Sequence, residues 1–87
     1  MRQAPYFIIY DTVNLIQCKM ARAALGWSRA DLGAASGITG RTVARFEDGE
    51  PVAPQSVQAM RHALEANGVL FVDNGTLAGA VVPPRVG

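Results

Sequence analysis

Two arginines stand four residues apart in the segment GRTVARF, residues 40–46. If this segment is a helix, Arg41 and Arg45 share one face, while Val43 and Phe46 lie on the opposite, core-facing side. A guanidinium can bind the N7 and O6 atoms of guanine through two hydrogen bonds, and a helix fits the major groove of DNA. The pattern therefore predicts contacts to DNA bases or phosphates, with simple solvation of the charges as the alternative.

Capping signals place another helix directly before this one. Ser28 opens a capping-box pattern at the start of a predicted helix over residues 29–36, and Gly37 supplies the left-handed backbone that ends it. Thr39 can cap the helix that carries the arginines, which we expect over residues 40–48. The free N–H groups and the positive dipole end at both helix starts suit phosphates, so Ser28 and Thr39 are candidate contacts.

The flanking sequence predicts two more helices and a small β element. Residues 12–25, with Asp11 as the cap, and residues 54–67 show the helical spacing of apolar residues. The apolar run PYFIIY at residues 5–10 predicts a strand, and VLFV and TLAGAVV around the turn signal DNG predict a hairpin. The first helix is expected to turn four apolar residues towards the core: Val13, Ile16, Met20 and Ala23.

Together these elements predict one mostly helical domain of four to five helices with a small β element. Residues 12–67 would form the helical core, between an N-terminal apolar strand in residues 1–11 and a C-terminal hairpin in residues 68–82. Two consecutive prolines then end regular structure, so we expect a loose tail in residues 83–87. A chain of 87 residues buries only a modest core, and a partner subunit is therefore also expected.

Charge is distributed unevenly along the chain, although the net charge is only +1. Residues 19–45 contain five basic residues and one acid, a net charge of +4. Residues 46–87 contain two basic residues and five acids, a net charge of −3. A basic half favours a polyanionic partner, and scattered solvated charge is the alternative.

The residues that several other functions require are missing from the sequence. Cys18 is the single cysteine and His62 the single histidine, so we expect neither an intramolecular disulfide nor a metal site. No spacing of nucleophile and base or of paired carboxylates marks an enzyme, and we expect no cofactor or small-molecule ligand. The apolar runs are too short for a membrane span or a signal peptide, so we expect a cytoplasmic protein with no membrane contact.

Glu47 and Asp48 are unusual because acids at the C-terminal end of a helix oppose the helix dipole. Glu47 is four residues from Val43, so it lies towards the core, where a carboxylate needs a partner. Arg22 on the first predicted helix is the basic residue that we expect to pair with it. This ion pair would tie the first helix to the third and hold Arg22 near a phosphate.

Three segments and their spacing resemble a known family: QCKMARAALGWSRADL, GITGRTVARFEDG and HALEANGVLFVDNG. The chain from residue 17 to about residue 82, about three quarters of its length, is similar to small prokaryotic Cro/repressor-type regulators of the xenobiotic-response-element helix-turn-helix family. The resemblance implies a lambda-repressor-like fold in which the helix beginning at Gly40 is the DNA-recognition helix. The tie between Arg22 and Glu47 also recurs in this family.

The resemblance implies roles for individual residues. Base contacts would come from Arg41 and Arg45. Phosphate contacts would come from the residues at the helix starts: Ser28, Arg29, Thr39 and Thr42. The sequence departs from the family at Gly33, which is usually alanine, and at Gly40, where a base-reading side chain is common. Arg29 often aligns with glutamine in relatives, and the acidic loop GEPVAP is often basic in them.

The apolar strands at the two ends of the chain exceed what four helices need for their core. We expect these strands to pair across a two-fold axis, with contacts from Phe7, Ile9, Leu70, Phe71, Val72 and Leu77. The alternative is that the strands only close the core of one chain.

The resemblance implies a sequence-specific regulator that binds double-stranded DNA as a homodimer. It would read a palindromic operator through the major groove and act as a repressor or autoregulator. One alternative is an antitoxin that binds its own promoter and a toxin. Another is an interaction adaptor that has lost DNA readout, and in these cases a toxin or polymerase would be the protein partner.

Overall fold

A computed structural model describes residues 13–73 and 78–82 of the chain. Within these residues the protein is mostly helical, with one small antiparallel sheet. The elements in chain order are α1 (Leu15–Leu25), α2 (Arg29–Ser36), α3 (Gly40–Glu47), α4 (Pro54–Ala66), β1 (Leu70–Asp73) and β2 (Ala78–Val81). The predicted N-terminal strand and the C-terminal tail lie outside the described residues, as do Phe7, Ile9 and Leu77.

The mostly helical class and the C-terminal hairpin are confirmed. α2 has the predicted bounds, while α3 and α4 each end one residue earlier than predicted. Each of these three helices has the start that its sequence indicates. Ser28 and Thr39 accept hydrogen bonds as the side-chain caps of α2 and α3, and a proline occupies the first turn of α4.

The start of α1 differs from the prediction. α1 begins at Leu15, three residues later than expected, because Asn14 and Gln17 form a capping box there. The Asn14 side chain accepts from Gln17 N at 2.8 Å, and the Gln17 side chain accepts from Asn14 N at 3.1 Å. The predicted cap, Asp11, lies outside the described residues.

The predicted core face of α1 is also wrong. Ile16 and Met20 are 54% and 44% exposed, Ala23 is exposed, and Val13 is buried but precedes the helix. The buried residues of α1 are Gln17, Cys18 and Ala21. Apolar spacing could not identify this face, because it consists of a small alanine and of Gln17 and Cys18, which hydrogen-bond to the hairpin and to α3.

The hairpin packs one side against the helices and leaves the other side exposed. The strands are antiparallel, with Phe71 opposite Ala80 and Leu70 opposite Val81. Phe71 and Ala80 pack against the core, whereas Leu70, Val72 and Val81 are exposed. Strand alternation turns the Phe71 ring inward, and its contact with a second chain stays a prediction.

A buried amide holds the hairpin against α1. Gln17 Nε2 donates hydrogen bonds to the carbonyl oxygens of Val72 at 3.0 Å and Gly79 at 3.1 Å. These two residues face each other across the sheet, so one side chain binds both strands. Glutamine is mostly a surface residue, and for this reason the sequence did not indicate that Gln17 would be buried.

The hydrophobic core lies between α2, α3 and α4 and extends to α1 and the hairpin. Four of its large side chains are completely buried: Leu32, Val43, Met60 and Leu64. Val43, Met60 and Leu64 face inward as predicted. With Val43 buried, the opposite face of α3 is turned away from the protein, and this geometry positions the candidate site.

Candidate nucleic-acid interface

α2 and α3 are joined by only three residues, Gly37, Ile38 and Thr39. Gly37 has a φ of 75°, which ends α2, and Ile38 N donates to Gly33 O at 3.0 Å. The Ile38 side chain packs against the core. These contacts fix the path of the connection, so the orientation of α3 relative to α2 is determined locally.

Two glycines allow α2 and α3 to touch through their backbones. A Cβ atom on Gly33 would lie 2.5 Å from Gly40 N and 2.6 Å from the carbonyl carbon of Thr39. Alanine, which the resemblance makes usual at this position, would therefore force the two helices apart. Glycine at position 33 is a packing requirement of this chain and not only a weak helix former.

Gly40 faces α2. A Cβ atom on Gly40 would lie 2.9 Å from Ala30 Cα and 3.1 Å from Ala30 N. The resemblance puts a base-reading side chain at this position, but here such a side chain would meet the α2 backbone first. The backbone of α2 therefore excludes a side chain at position 40, and only the main-chain atoms of Gly40 can form contacts there.

The hydroxyl groups at the two helix starts have spare donor capacity. Ser28 Oγ accepts from Asp31 N at 3.0 Å, and the Asp31 carboxylate accepts from Ser28 N at 2.8 Å. Thr39 Oγ1 accepts from Thr42 N, and the two threonine hydroxyls lie 3.2 Å apart. A hydroxyl group can accept one hydrogen bond and donate another at the same time. The hydroxyl proton of Ser28 and that of one of the two threonines therefore remain available to an anion.

Arg41 and Arg45 lie on the exposed side of α3 but differ in their partners. Within the described part of the chain, Arg41 makes no hydrogen bond or ion pair. Arg45 Nη1 lies 3.2 Å from Glu50 Oε1, and its Nη2 donates to Pro51 O at 3.3 Å. The Arg41 guanidinium is therefore free to bind an anion, whereas the Arg45 guanidinium is held against the loop that follows α3.

Glu47 is the buried centre of the ion pairs beside α3, with 1% of its surface exposed. Arg22 Nε donates to Glu47 Oε2 and Arg22 Nη2 donates to Glu47 Oε1, both at 2.9 Å. The structure thus contains the expected tie between α1 and α3. Arg22 Nη1 also donates to Trp27 O at 3.0 Å, so the guanidinium is bound on several sides.

Two further groups bind Glu47 that the sequence did not reveal. Arg29 Nε donates to Glu47 Oε1 at 3.1 Å, and Arg29 Nη2 lies 3.5 Å from Asp48 Oδ1. Cys18 Sγ donates to Glu47 Oε2 at 3.3 Å. Arg29, which we expected to bind a phosphate, therefore pairs with two acids, Glu47 in α3 and Asp48 directly after it. The Arg29 side chain stays 41% exposed. The only sign of this cluster in the sequence is that two acids, Glu47 and Asp48, closely follow Arg41 and Arg45.

The pKa values in this cluster follow from the contacts. Burial alone would raise the pKa of Glu47, but the hydrogen bonds from Arg22, Cys18 and Arg29 hold it below its usual value. The hydrogen bond to Glu47 raises the pKa of Arg22. Burial, and then the neighbouring carboxylate, raises the pKa of Cys18 to about 12. At neutral pH, Glu47 is therefore a carboxylate and Cys18 is a neutral thiol.

Residues 13–73 and 78–82 lack the features of two other kinds of site. No group of three histidine, cysteine, aspartate or glutamate residues there could hold a metal ion. No helix in this part of the chain has the length and apolar character to cross a membrane.

No protein-family model matches the chain, and no curated protein matches it either. The function is therefore inferred from the geometry of α2, α3 and their side chains.

Proposed function

We propose that the chain is a cytoplasmic DNA-binding regulator in which α2, the three-residue connection and α3 form a helix-turn-helix unit. The observation that carries this proposal is Arg41, whose exposed guanidinium has no partner among the described residues. It extends from a helix whose opposite side, at Val43, is completely buried. α3 would lie in the major groove, where Arg41 binds a base edge or a phosphate.

The helix starts support the same orientation. The N-terminal N–H groups of α2 and α3 carry the positive end of each helix dipole, and Ser28 and Thr39 add hydroxyl groups there. Thr42 lies beside Arg41 on the first turn of α3. These groups would bind phosphates on both sides of the groove and fix the register of Arg41. Bound near a promoter, the protein would block or recruit polymerase.

An exposed apolar surface supports association of two copies. We call it the outer apolar face, and it comprises Ile16, Met20, Leu70, Val72 and Val81. The α1 part and the hairpin part are contiguous, because a Cβ atom on Gly79 would lie 3.6 Å from Met20 Cε and 3.8 Å from Val72 Cγ2. A contiguous exposed apolar surface favours a protein contact. A two-fold dimer would also suit a palindromic operator, with two recognition helices about 34 Å apart.

The dimer is tested by placing polar residues on the outer apolar face. Ile16→Ser combined with Leu70→Ser should convert the protein to a monomer in analytical ultracentrifugation, with an unchanged circular dichroism spectrum. Gln55→Ser, at an exposed position of α4 and outside the outer apolar face, is the control and should leave the dimer intact. A variant that keeps the dimer mass would show that another surface joins the two copies.

DNA binding is tested by selection from random duplex DNA at moderate salt. Enrichment of an inverted repeat supports a dimeric, sequence-specific regulator and gives the spacing of its half-sites. Binding that falls steeply with salt but enriches no sequence would indicate phosphate contacts alone. Absence of binding would contradict the proposal.

The outer apolar face also supports a second candidate, in which the chain is an antitoxin or adaptor that binds a different protein. The face would then bind a toxin or polymerase and not a second copy. In that case the purified protein alone is a monomer. The serine variants of Ile16 and Leu70 then abolish partner binding without any change of mass.

A further inference from the structure

Carboxylates from the end of α3 already bind most of the guanidiniums proposed to face DNA. The four arginines concerned are Arg22, Arg29, Arg41 and Arg45. Glu47 binds the first two, and Glu50 binds Arg45. With Asp48, this group contains three carboxylates and four arginines, so its net charge is only +1. Its affinity for DNA therefore depends on which ion pairs can open.

The ion pairs of Glu47 and Glu50 differ in their burial. The Glu47 side chain is completely buried and its ion pairs hold α1 and α3 together. The side chains of Arg45 and Glu50 are 48% and 52% exposed. An exposed ion pair contributes little to folding, because water solvates both charges when it opens. A phosphate can therefore replace Glu50 at Arg45 without unfolding the protein.

The position of Glu50 is determined by the backbone at the end of α3. Gly49 has a φ of 84°, and Glu50 N donates to Arg45 O at 2.9 Å. This hydrogen bond turns the chain back along α3 and brings Glu50 beside the arginine whose carbonyl it binds. Pro51 O accepts a second hydrogen bond from Arg45 Nη2. The carboxylate is thus built into the helix end, and a phosphate that approaches Arg45 also approaches Glu50.

We propose that Glu50 is a positioning residue for Arg45 that competes with DNA for its guanidinium. This inference rests on the proposed DNA binding. In the free protein Glu50 holds Arg45 against the loop, and in the complex a phosphate or base takes its place. Arg41 needs no such exchange and therefore contributes most of the affinity for DNA. Arg45 contacts the DNA only where a phosphate or base binds it more strongly than Glu50 does.

The exchange has a signature in the salt dependence. Each phosphate neutralised by a basic side chain releases counterions and adds about 0.9 to the slope of log K against log salt. When Arg45 leaves Glu50, the freed carboxylate stays beside the phosphates, and its negative charge retains a cation there, which offsets that release. Arg45 therefore adds little to the slope in the natural protein. Glu50→Gln should restore its full contribution.

The experiment measures binding to a mixed-sequence duplex by fluorescence anisotropy between about 50 and 200 mM salt, the range over which counterion release is strong. Glu50→Gln should bind up to about fivefold more tightly at the lowest salt and have a slope steeper by about 0.9 per protomer. Glu65→Gln removes the same charge from the ion pair with Arg61 on α4 and is the matched control. Equal affinities and slopes for the two variants would overturn the inference.

A second comparison tests whether Glu50 acts through Arg45. In an Arg45→Ala background, Glu50→Gln should no longer steepen the slope, because the guanidinium that it frees is absent. A slope that steepens equally in both backgrounds would show that Glu50 acts by general repulsion, which overturns the inference. Glu50→Asp, which keeps the charge, should retain the shallow slope of the natural protein.

A measurement without DNA separates this inference from the proposed function. In the free protein, the NMR signals of the Arg45 Nη–H groups, of which Nη1 contacts Glu50, should shift on Glu50→Gln and stay unchanged on Glu65→Gln. If they do not shift, the ion pair is absent and the inference fails whatever the DNA result. If they shift but no variant binds duplex DNA, the ion pair exists and the proposed function fails, and with it the competition.

Discussion

Replacing Glu47 by glutamine should destabilise the protein strongly. The carboxylate is 1% exposed and accepts hydrogen bonds from Arg22, Arg29 and Cys18. Glutamine has the same size and keeps one oxygen, but it replaces the other oxygen by an NH2 group that would face these donors. Arg22 would then lack the charge that compensates it, and Arg29 would keep only Asp48, at 3.5 Å.

The expected loss in the free energy of unfolding is about 3 kcal/mol. Removal of one member of a buried ion pair typically costs about 3–5 kcal/mol. The side chains of Arg22 and Arg29 are 19% and 41% exposed, so water partly solvates them and the loss lies at the lower end. For a chain of this size, the midpoint of thermal unfolding should fall by roughly 12–24 °C.

The assay is thermal and urea unfolding followed by circular dichroism, with Glu50→Gln as the control. The control removes a carboxylate from an ion pair whose members are about half exposed, and it should cost less than about 1 kcal/mol. Equal losses for Glu47→Gln and Glu50→Gln would refute the view that burial makes Glu47 the structural centre of the cluster.

Three other predictions concern the same core. The stabilisation from Glu47 is complete above its usual pKa of 4.5 and is lost as the pH falls through the lower pKa that it has in the folded protein. The free energy of unfolding in urea should therefore fall in acid, and this part of the fall should be absent in Glu47→Gln. Cys18 should resist alkylation in the folded protein at neutral pH, because the reactive species is the thiolate and the pKa of the buried thiol is about 12; labelling as fast as in urea would contradict this. Gly33→Ala should cost about 1–3 kcal/mol on urea unfolding despite the better helix propensity of alanine, because its Cβ would lie 2.5 Å from Gly40 N. Ala35→Gly, at an exposed position of α2, should cost only about 1 kcal/mol.

Local signals predicted the part of the fold that carries the site. Ser28 and Thr39 are side-chain caps, and Gly37 ends α2, because these interactions involve residues close together in the chain. The partner of Glu47 could also be predicted, since a carboxylate on the inner side of a helix requires a basic partner. Arg22 occupies that place in the structure.

Contacts between distant residues could not be predicted in the same way. The burial of Gln17 depends on two carbonyl groups of the hairpin, more than fifty residues away in sequence. Helical spacing assigned Ile16 and Met20 to the core, but exposed apolar residues can have the same spacing. The backbone contact of Gly33 with α3 depends on the distance between two helices, which no pattern of residue types reveals.

The central claim is that Arg41 of α3 contacts DNA, and its most direct test is duplex binding by Arg41→Ala beside Lys19→Ala. Both variants remove one exposed positive charge, but Lys19 lies on α1 and outside the proposed interface. Arg41→Ala should weaken binding by about 1–3 kcal/mol, whereas Lys19→Ala should change it by only a few tenths. Equal effects of the two variants, or binding that is unchanged by the loss of Arg41, would contradict the proposed function.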